Sequence, residues 1–122
     1  MTLQYLDFDY SEDDEGTGTF DAMASTAPQQ VAAVRAELVR VLAWAHAAFP
    51  DARGPVEDGG EWDYDLRGHC ESTVPEQFTF DEHAGRLAVQ PEPPGTVRHT
   101  VNLAISGSAA FCAALREQFA LE

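Results

Sequence analysis

Residues 26–50, TAPQQVAAVRAELVRVLAWAHAAFP, are the segment from which the rest of this chain can be read. At about 100° per residue, Val31, Val34, Leu38, Val41, Leu42, Ala45 and Phe49 fall on one stripe, with Val39 at its edge. Recurrence at i, i+3, i+4 and i+7 is the pattern of a helix with one face in a core. Thr26 and Gln29 have the spacing of a capping box, in which each side chain satisfies an orphan N–H at the helix start. Pro28 fits the first turn, where no intrahelical donor is needed, and Pro50 ends the helix. Arg35 and His46 border the stripe, where a long side chain can lie along apolar surface. Trp44 is expected on the back of the helix with Glu37 and Arg40, either stacked beneath Arg40 or forming part of a contact surface.

On the N-terminal side, LQYLDFDY (3–10) alternates, with Leu6, Phe8 and Tyr10 on one side and Tyr5, Asp7 and Asp9 on the other. Period two marks a half-buried strand. SEDDEGTG follows as a turn, with Gly16 and Gly18 supplying positive φ. TFDAMAS resumes as a strand, with Phe20, Ala22 and Ala24 opposed to Asp21 and Met23. Beyond the helix, DARGPVEDGG is a loop by composition. EWDYDLRGHCES then places Trp62, Tyr64, Leu66, Gly68 and Cys70 on one face, and Asp63, Asp65, Arg67, His69 and Glu71 on the other. QFTF and RLAVQ flank DEHAG, a hairpin signal with Gly85 late in the connection. PEPPG reads as an irregular loop, and TVRHTVNLAI as a strand with Val97, His99, Val101, Leu103 and Ile105 in phase. A second helix closes the chain, capped by Ser108 and burying Phe111, Cys112, Leu115 and Phe119.

The expected architecture is one α+β domain over residues 1–122. It is a two-layer sandwich in ββαβββα order, with a mostly antiparallel five-stranded sheet and two helices on one face. The first helix would carry the chain across so that strand three lies parallel to strand two, or beside a central strand one.

Composition limits the function classes. The chain has 122 residues, a formal net charge of −14 and 44% hydrophobic residues, so it is acidic yet able to build a core. All seven basic residues are arginine, which removes lysine chemistry such as a Schiff base or a P-loop. Phosphate binding relies on clustered cations, so nucleic acid and anionic membrane surfaces are unfavourable partners. No run of eighteen apolar residues is present, and the N-terminus lacks the pattern of a signal peptide. The expected compartment is therefore the cytoplasm, with Cys70 and Cys112 as free thiols.

No motif assigns an activity, a cofactor or a metal. The distinctive expectation is an anionic sheet face formed by Asp7, Asp9, Asp21, Asp63 and Asp65. Such a face keeps a small protein soluble, and it also accelerates encounter with a basic protein partner. Tyr5 and Met23 within it, or Trp44 and Arg40 elsewhere, are the candidate interface residues. Bacterial immunity proteins, antitoxins and nucleic-acid mimics share this small, acidic, motif-free character by composition alone, which makes an immunity- or adaptor-like binding module the expectation. Self-association through Trp44 or an unpaired edge strand is a second expectation. The alternatives are a weak divalent-cation site and a small hydrolase using carboxylates or His69. SEDDEGTGTFDA fails the EF-hand pattern, because Ala22 stands where a bidentate Glu is required. Asp63 and Asp65 on one strand would lie roughly 7 Å apart, near an inverting-glycosidase spacing, but with only carboxylates and water around them.

Overall fold

The computed structural model describes residues 2–91 and 95–121. The sequence reading of PEPPG as an irregular loop falls mainly on residues 92–94, which lie outside the described residues. The elements run β1 (Phe8–Glu12), β2 (Gly18–Thr26), α1 (Val31–Ala48), β3 (Trp62–Thr73), β4 (Glu76–Asp81), β5 (Arg86–Pro91), β6 (Thr96–Gly107) and α2 (Ala109–Phe119), with short 3-10 turns at Pro28–Gln30 and Val56–Asp58. The α+β class and the two helices stand. The single five-stranded sheet does not. The ββαβββα order, which leaves one of the six strand segments uncounted, becomes ββαββββα: among the described residues there are six strands, four in a sheet of order β1-β2-β6-β3 and two in a separate β4-β5 hairpin.

Among the described residues the ladders between these strands are all antiparallel, and the isolated Arg53–Trp62 bridge is parallel. Strand β6 inserts between β2 and β3, so the crossover through α1 joins two strands that run the same way without touching. Strand three thus runs parallel to strand two, as one of the two expected arrangements had it, but with β6 between them, and the alternative of a central strand one beside strand three does not occur. Strand β1 is at one edge, and β3 is at the other.

The buried side of the sheet follows the alternation. Phe20, Ala22, Ala24, Trp62, Leu103 and Ile105 face the helices and are buried. From α1 come Val34, Leu38, Val41 and Ala45, and from α2 come Phe111, Cys112, Leu115 and Phe119. Trp62 is fully enclosed, stacked on Phe111 at 5.7 Å with the ring planes 5° apart, and its indole N–H donates to Phe49 O at 3.3 Å. Gly107 makes room for this stack, since a Cβ there would stand 2.5 Å from the Phe111 ring. Gly18 has the same role under Tyr10 and Cys112 and not in the turn, where Gly16 supplies the positive φ of 86°.

The buried stripe of α1 is wider than its apolar residues. Glu37 is only 4% exposed, and its carboxylate accepts N–H bonds from Gln4 (2.8 Å), Tyr5 (2.9 Å) and Leu6 (3.0 Å). These bonds hold residues 4–6 against the helix and take their donors out of any ladder. Strand β1 accordingly begins at Phe8 and not at residue 3. The cap sits on the 3-10 turn Pro28–Gln30 that leads into α1, one residue later than the sequence spacing suggested: Gln30 Oε1 accepts from Ala27 N–H at 3.1 Å, while Thr26 remains in β2. Ser108 caps α2 as expected, accepting from Phe111 N–H at 3.2 Å.

Glu37→Ala removes the acceptor of three backbone donors, and each buried unsatisfied donor costs about 1–3 kcal/mol. Since water reaches part of the site, the expected loss is about 2–4 kcal/mol in urea unfolding, with amide exchange at Tyr5 and Leu6 faster by at least about tenfold. A variant as stable and protected as the parent would remove Glu37 from this role. A second expectation concerns alkaline pH. Burial pushes the Cys112 thiol above its ordinary 9.0, and the bond from Tyr10 Oη to Glu12 Oε2 raises the phenol above 10.0. Both groups hold their proton more tightly folded than unfolded. Their contribution is therefore full below those ordinary values and fades as pH rises through the raised folded ones. Unfolding measured from about pH 8 to about pH 11 should show a decline that Tyr10→Phe/Cys112→Ala flattens.

Candidate functional site

The face of the four-stranded sheet turned away from the helices carries no covering element among the described residues. Its side chains form rungs fixed by the antiparallel register, because directly paired residues share a face. One rung reads Asp9, Asp21, Ala104, Asp65 across β1, β2, β6 and β3. The next, toward the N-terminal end of β6, reads Met23, Asn102, Arg67, and the one on the opposite side reads Ser11, Thr19, Ser106, Asp63. The short side chain of Ala104 leaves a trough along the centre. The resulting open depression, about 630 Å³, is bordered by Asp7, Asp9, Asp21 and Asp65, with Met23 and Arg67 at one end.

Each carboxylate reaches this surface by a different local cause. Asp9, Asp21 and Asp65 are set by strand alternation. Asp7 precedes β1 and is placed by its neighbour Leu6, which is buried and bonded to Glu37. Asp63 shares the face but is engaged elsewhere, with Arg53 Nε at 2.9 Å and the Tyr64 N–H at 2.9 Å on its Oδ1. The Arg53 guanidinium also lies over the Tyr64 ring, 4.3 Å from its centroid. Asp65 has Arg67 Nε at 2.9 Å, a pair exposed enough to be worth little. Asp7, Asp9 and Asp21 have no ion-pair partner among the described residues.

The chemistry available here is electrostatic. Each carboxylate of the Asp63/Asp65 pair contacts its own arginine, and Asp65 is open to water, so no apolar pocket surrounds a general acid. Among the described residues no group of three or more His, Cys, Asp or Glu side chains is arranged to hold a metal ion. The acidic turn is ordered as a backbone cap instead: Asp13 Oδ1 accepts from Glu15 N–H and Thr17 N–H, both at 2.9 Å.

Of the expected apolar anchors, Met23 lies in the depression and is 63% exposed. Tyr5 does not join it. It is half-buried and packs against the core, because Glu37 fixes its backbone. Trp44 is also displaced from its expected position. Instead of standing on the helix back under Arg40, it fills the seam between α1 and α2, with ring centroids 5.9 Å from Phe111, 5.8 Å from Phe119 and 6.3 Å from Phe49. Arg40 is exposed, and the stacked arginines among the described residues are Arg53 and Arg116. The helical wheel misplaced Trp44 because α1 buries two flanks, one under the sheet and one against α2.

The histidines find separate partners. His69 Nε2 lies 2.9 Å from Glu71 Oε1 on the outer face. His46, at the border of the α1 stripe, packs edge-on to Trp62 at 4.8 Å. His99 Nε2 lies 3.8 Å from Cys70 Sγ, its direct cross-strand partner, in an open concavity of about 300 Å³ that Arg35 also lines. No carboxylate or carbonyl orients that imidazole among the described residues, so the pair lacks the third group of a nucleophile–base–orienter arrangement.

Asp9 and Asp21 are direct cross-strand partners, and like charges so placed are destabilising. Asp21→Asn should therefore stabilise the fold by about 0.5 kcal/mol at low salt. That corresponds to a rise of about 2 °C in Tm, and the gain should shrink at about 1 M salt. A fall in Tm would mean that Asp21 makes a favourable contact instead. Comparison of the chain with protein-family models, curated proteins and solved structures returns no match.

Proposed function

We propose that this chain is a non-enzymatic protein-binding module, immunity-like or adaptor-like, whose anionic sheet face receives a basic protein surface. In this reading it works in the cytoplasm. The observation that carries the proposal is the rung Asp9–Asp21–Asp65 with Asp7 beside it, held on a bare face against mutual repulsion. A face needed only for solubility is served by mixed charges. Same-sign charges concentrated around a shallow depression suit a partner that supplies the missing cations.

The physics of such a contact is steering followed by registration. A net charge of −14 attracts a basic surface from beyond the contact distance, and the trough restricts how it sits. Exposed Met23, at one end of the depression beside Asp21, offers an apolar contact that a partner side chain can cover. The cations of the outer face, Arg67 and Arg98, lie toward one end, and Arg98 is tied to Ser25 through its Oγ (2.9 Å) and carbonyl (3.0 Å). A partner's basic residues therefore meet an asymmetric field.

The test is capture by the immobilised chain at about 0.05 M and about 0.5 M salt, repeated with the Asp9→Asn/Asp21→Asn/Asp65→Asn variant. The expected partner is basic, released by high salt and not retained by the triple variant. A partner that is retained under both changes would overturn the electrostatic face as the binding surface.

A further inference from the structure

The β4-β5 hairpin extends from the body as an arm with one apolar face. Cross-strand pairs Phe78↔Val89 and Phe80↔Leu87 place these four side chains together, while Gln77, Thr79, Ala88 and Gln90 take the opposite side. All four are exposed, from 49% at Val89 to 64% at Phe80. The tip is well formed: Asp81 Oδ1 accepts from His83 N–H (3.0 Å) and Ala84 N–H (3.2 Å), and Gly85 adopts φ 64°. An ordered hairpin with a bare apolar face is a surface prepared for a partner.

A surface of matching character exists on the same molecule. Strand β3 is an edge strand, and past Tyr64 its helix-facing side is no longer covered. There Leu66, 41% exposed, and the α1 residues Val39, Leu42 and Ala43 line an apolar groove of about 420 Å³, with Arg35 and His46 at its ends. The groove spans α1 from Arg35 to His46, about 17 Å at the helical rise. Strand β4 is six residues long, about 20 Å. The charges also match. Helix α1 exposes Arg35 and Arg40 and buries its one carboxylate, Glu37, which makes it the cationic surface of an acidic chain. The arm carries Glu76, Asp81 and Glu82 against one arginine, Arg86.

We propose that the arm of one copy lays Phe78, Phe80, Leu87 and Val89 into the α1–β3 groove of a second copy, and receives the reciprocal arm in its own groove, giving a two-fold arm-exchanged dimer. This inference goes beyond the anionic-face reading and does not depend on it, since the outer sheet face stays free. A second copy is the occupant because arm and groove are complementary in polarity, length and charge. A symmetric exchange also uses each of them twice. Two arms and two grooves cover on the order of 1,200 Å² in total, the lower end of stable specific interfaces. The anionic outer faces repel one another and therefore favour this side for self-association.

Sedimentation equilibrium should give twice the 13.3 kDa chain mass. Phe80→Ser/Leu87→Ser, which alters side chains already exposed in the single chain, should give a folded monomer by circular dichroism. In a Cys70→Ser background, a Val39→Cys copy mixed with a Phe80→Cys copy should form a disulfide-linked heterodimer on mild oxidation. A wild-type monomer at about 100 μM, where a specific dimer of this size is expected to form, would overturn the proposal, whether or not the arm holds some other protein. So would a dimer unaffected by the arm substitutions and not cross-linked. A chain carrying both cysteines that closes only on itself would show that the arm folds back onto its own body.

Discussion

The stack of Trp62 on Phe111 is the contact through which sheet and helices are held in one arrangement. It joins the first residue of β3 to α2, and the indole N–H extends the link to the carbonyl at the end of α1. Gly107 permits the approach and Trp44 closes the other side of Phe111, so the aromatic cluster spans both helices and the edge strand. Such a cluster pins one end of β3 and leaves the other end free. From Leu66 onward the strand leaves the cover of α1, and the chain continues into the arm.

Two helices cannot cover both faces of a four-stranded sheet, and here they do not fully cover one. The uncovered outer face collects carboxylates, while the uncovered margin of the inner face is apolar with Arg35 and His46 at its ends. These are separate solvation problems with separate solutions. Charges are tolerated on the outer face because water screens them, although the Asp9–Asp21 pair opposes folding. Apolar surface at the α1–β3 margin gains nothing from water, so it is the part of the molecule with most to gain from being covered. The proposed partner face and the proposed dimer contact therefore lie on different sides and do not compete.

Glu37 shows how a single buried charge organises a distant feature. Its carboxylate accepts three successive N–H groups from a segment more than thirty residues away, a charge-assisted arrangement that offsets the desolvation of the ion. The consequence is felt at the outer face, where Asp7 is delivered to the depression by the same segment. Tyr5, held by the same carboxylate, is drawn into the core and away from that face.

What the sequence determined by itself was local and periodic. The two helices, the Ser108 cap, and the side of each strand on which Asp9, Asp21, Asp63 and Asp65 stand all follow from repeats of 3.6 or 2 residues, which depend only on neighbours in the chain. The anionic face was legible for that reason. Tertiary structure alone decided which strands sit side by side, since β6 enters between β2 and β3 by pairing across long sequence separation. It also decided that Asp63 binds Arg53 while Asp7, Asp9, Asp21 and Asp65 surround the trough, because register and not phase sets cross-strand neighbours. Glu37 and Trp44 were misread for a related reason: a helical wheel shows one apolar stripe, whereas α1 buries a second flank against α2 and the N-terminal segment. The arm was visible as a hairpin, but its isolation was not, because whether an apolar face is covered depends on where the other elements dock.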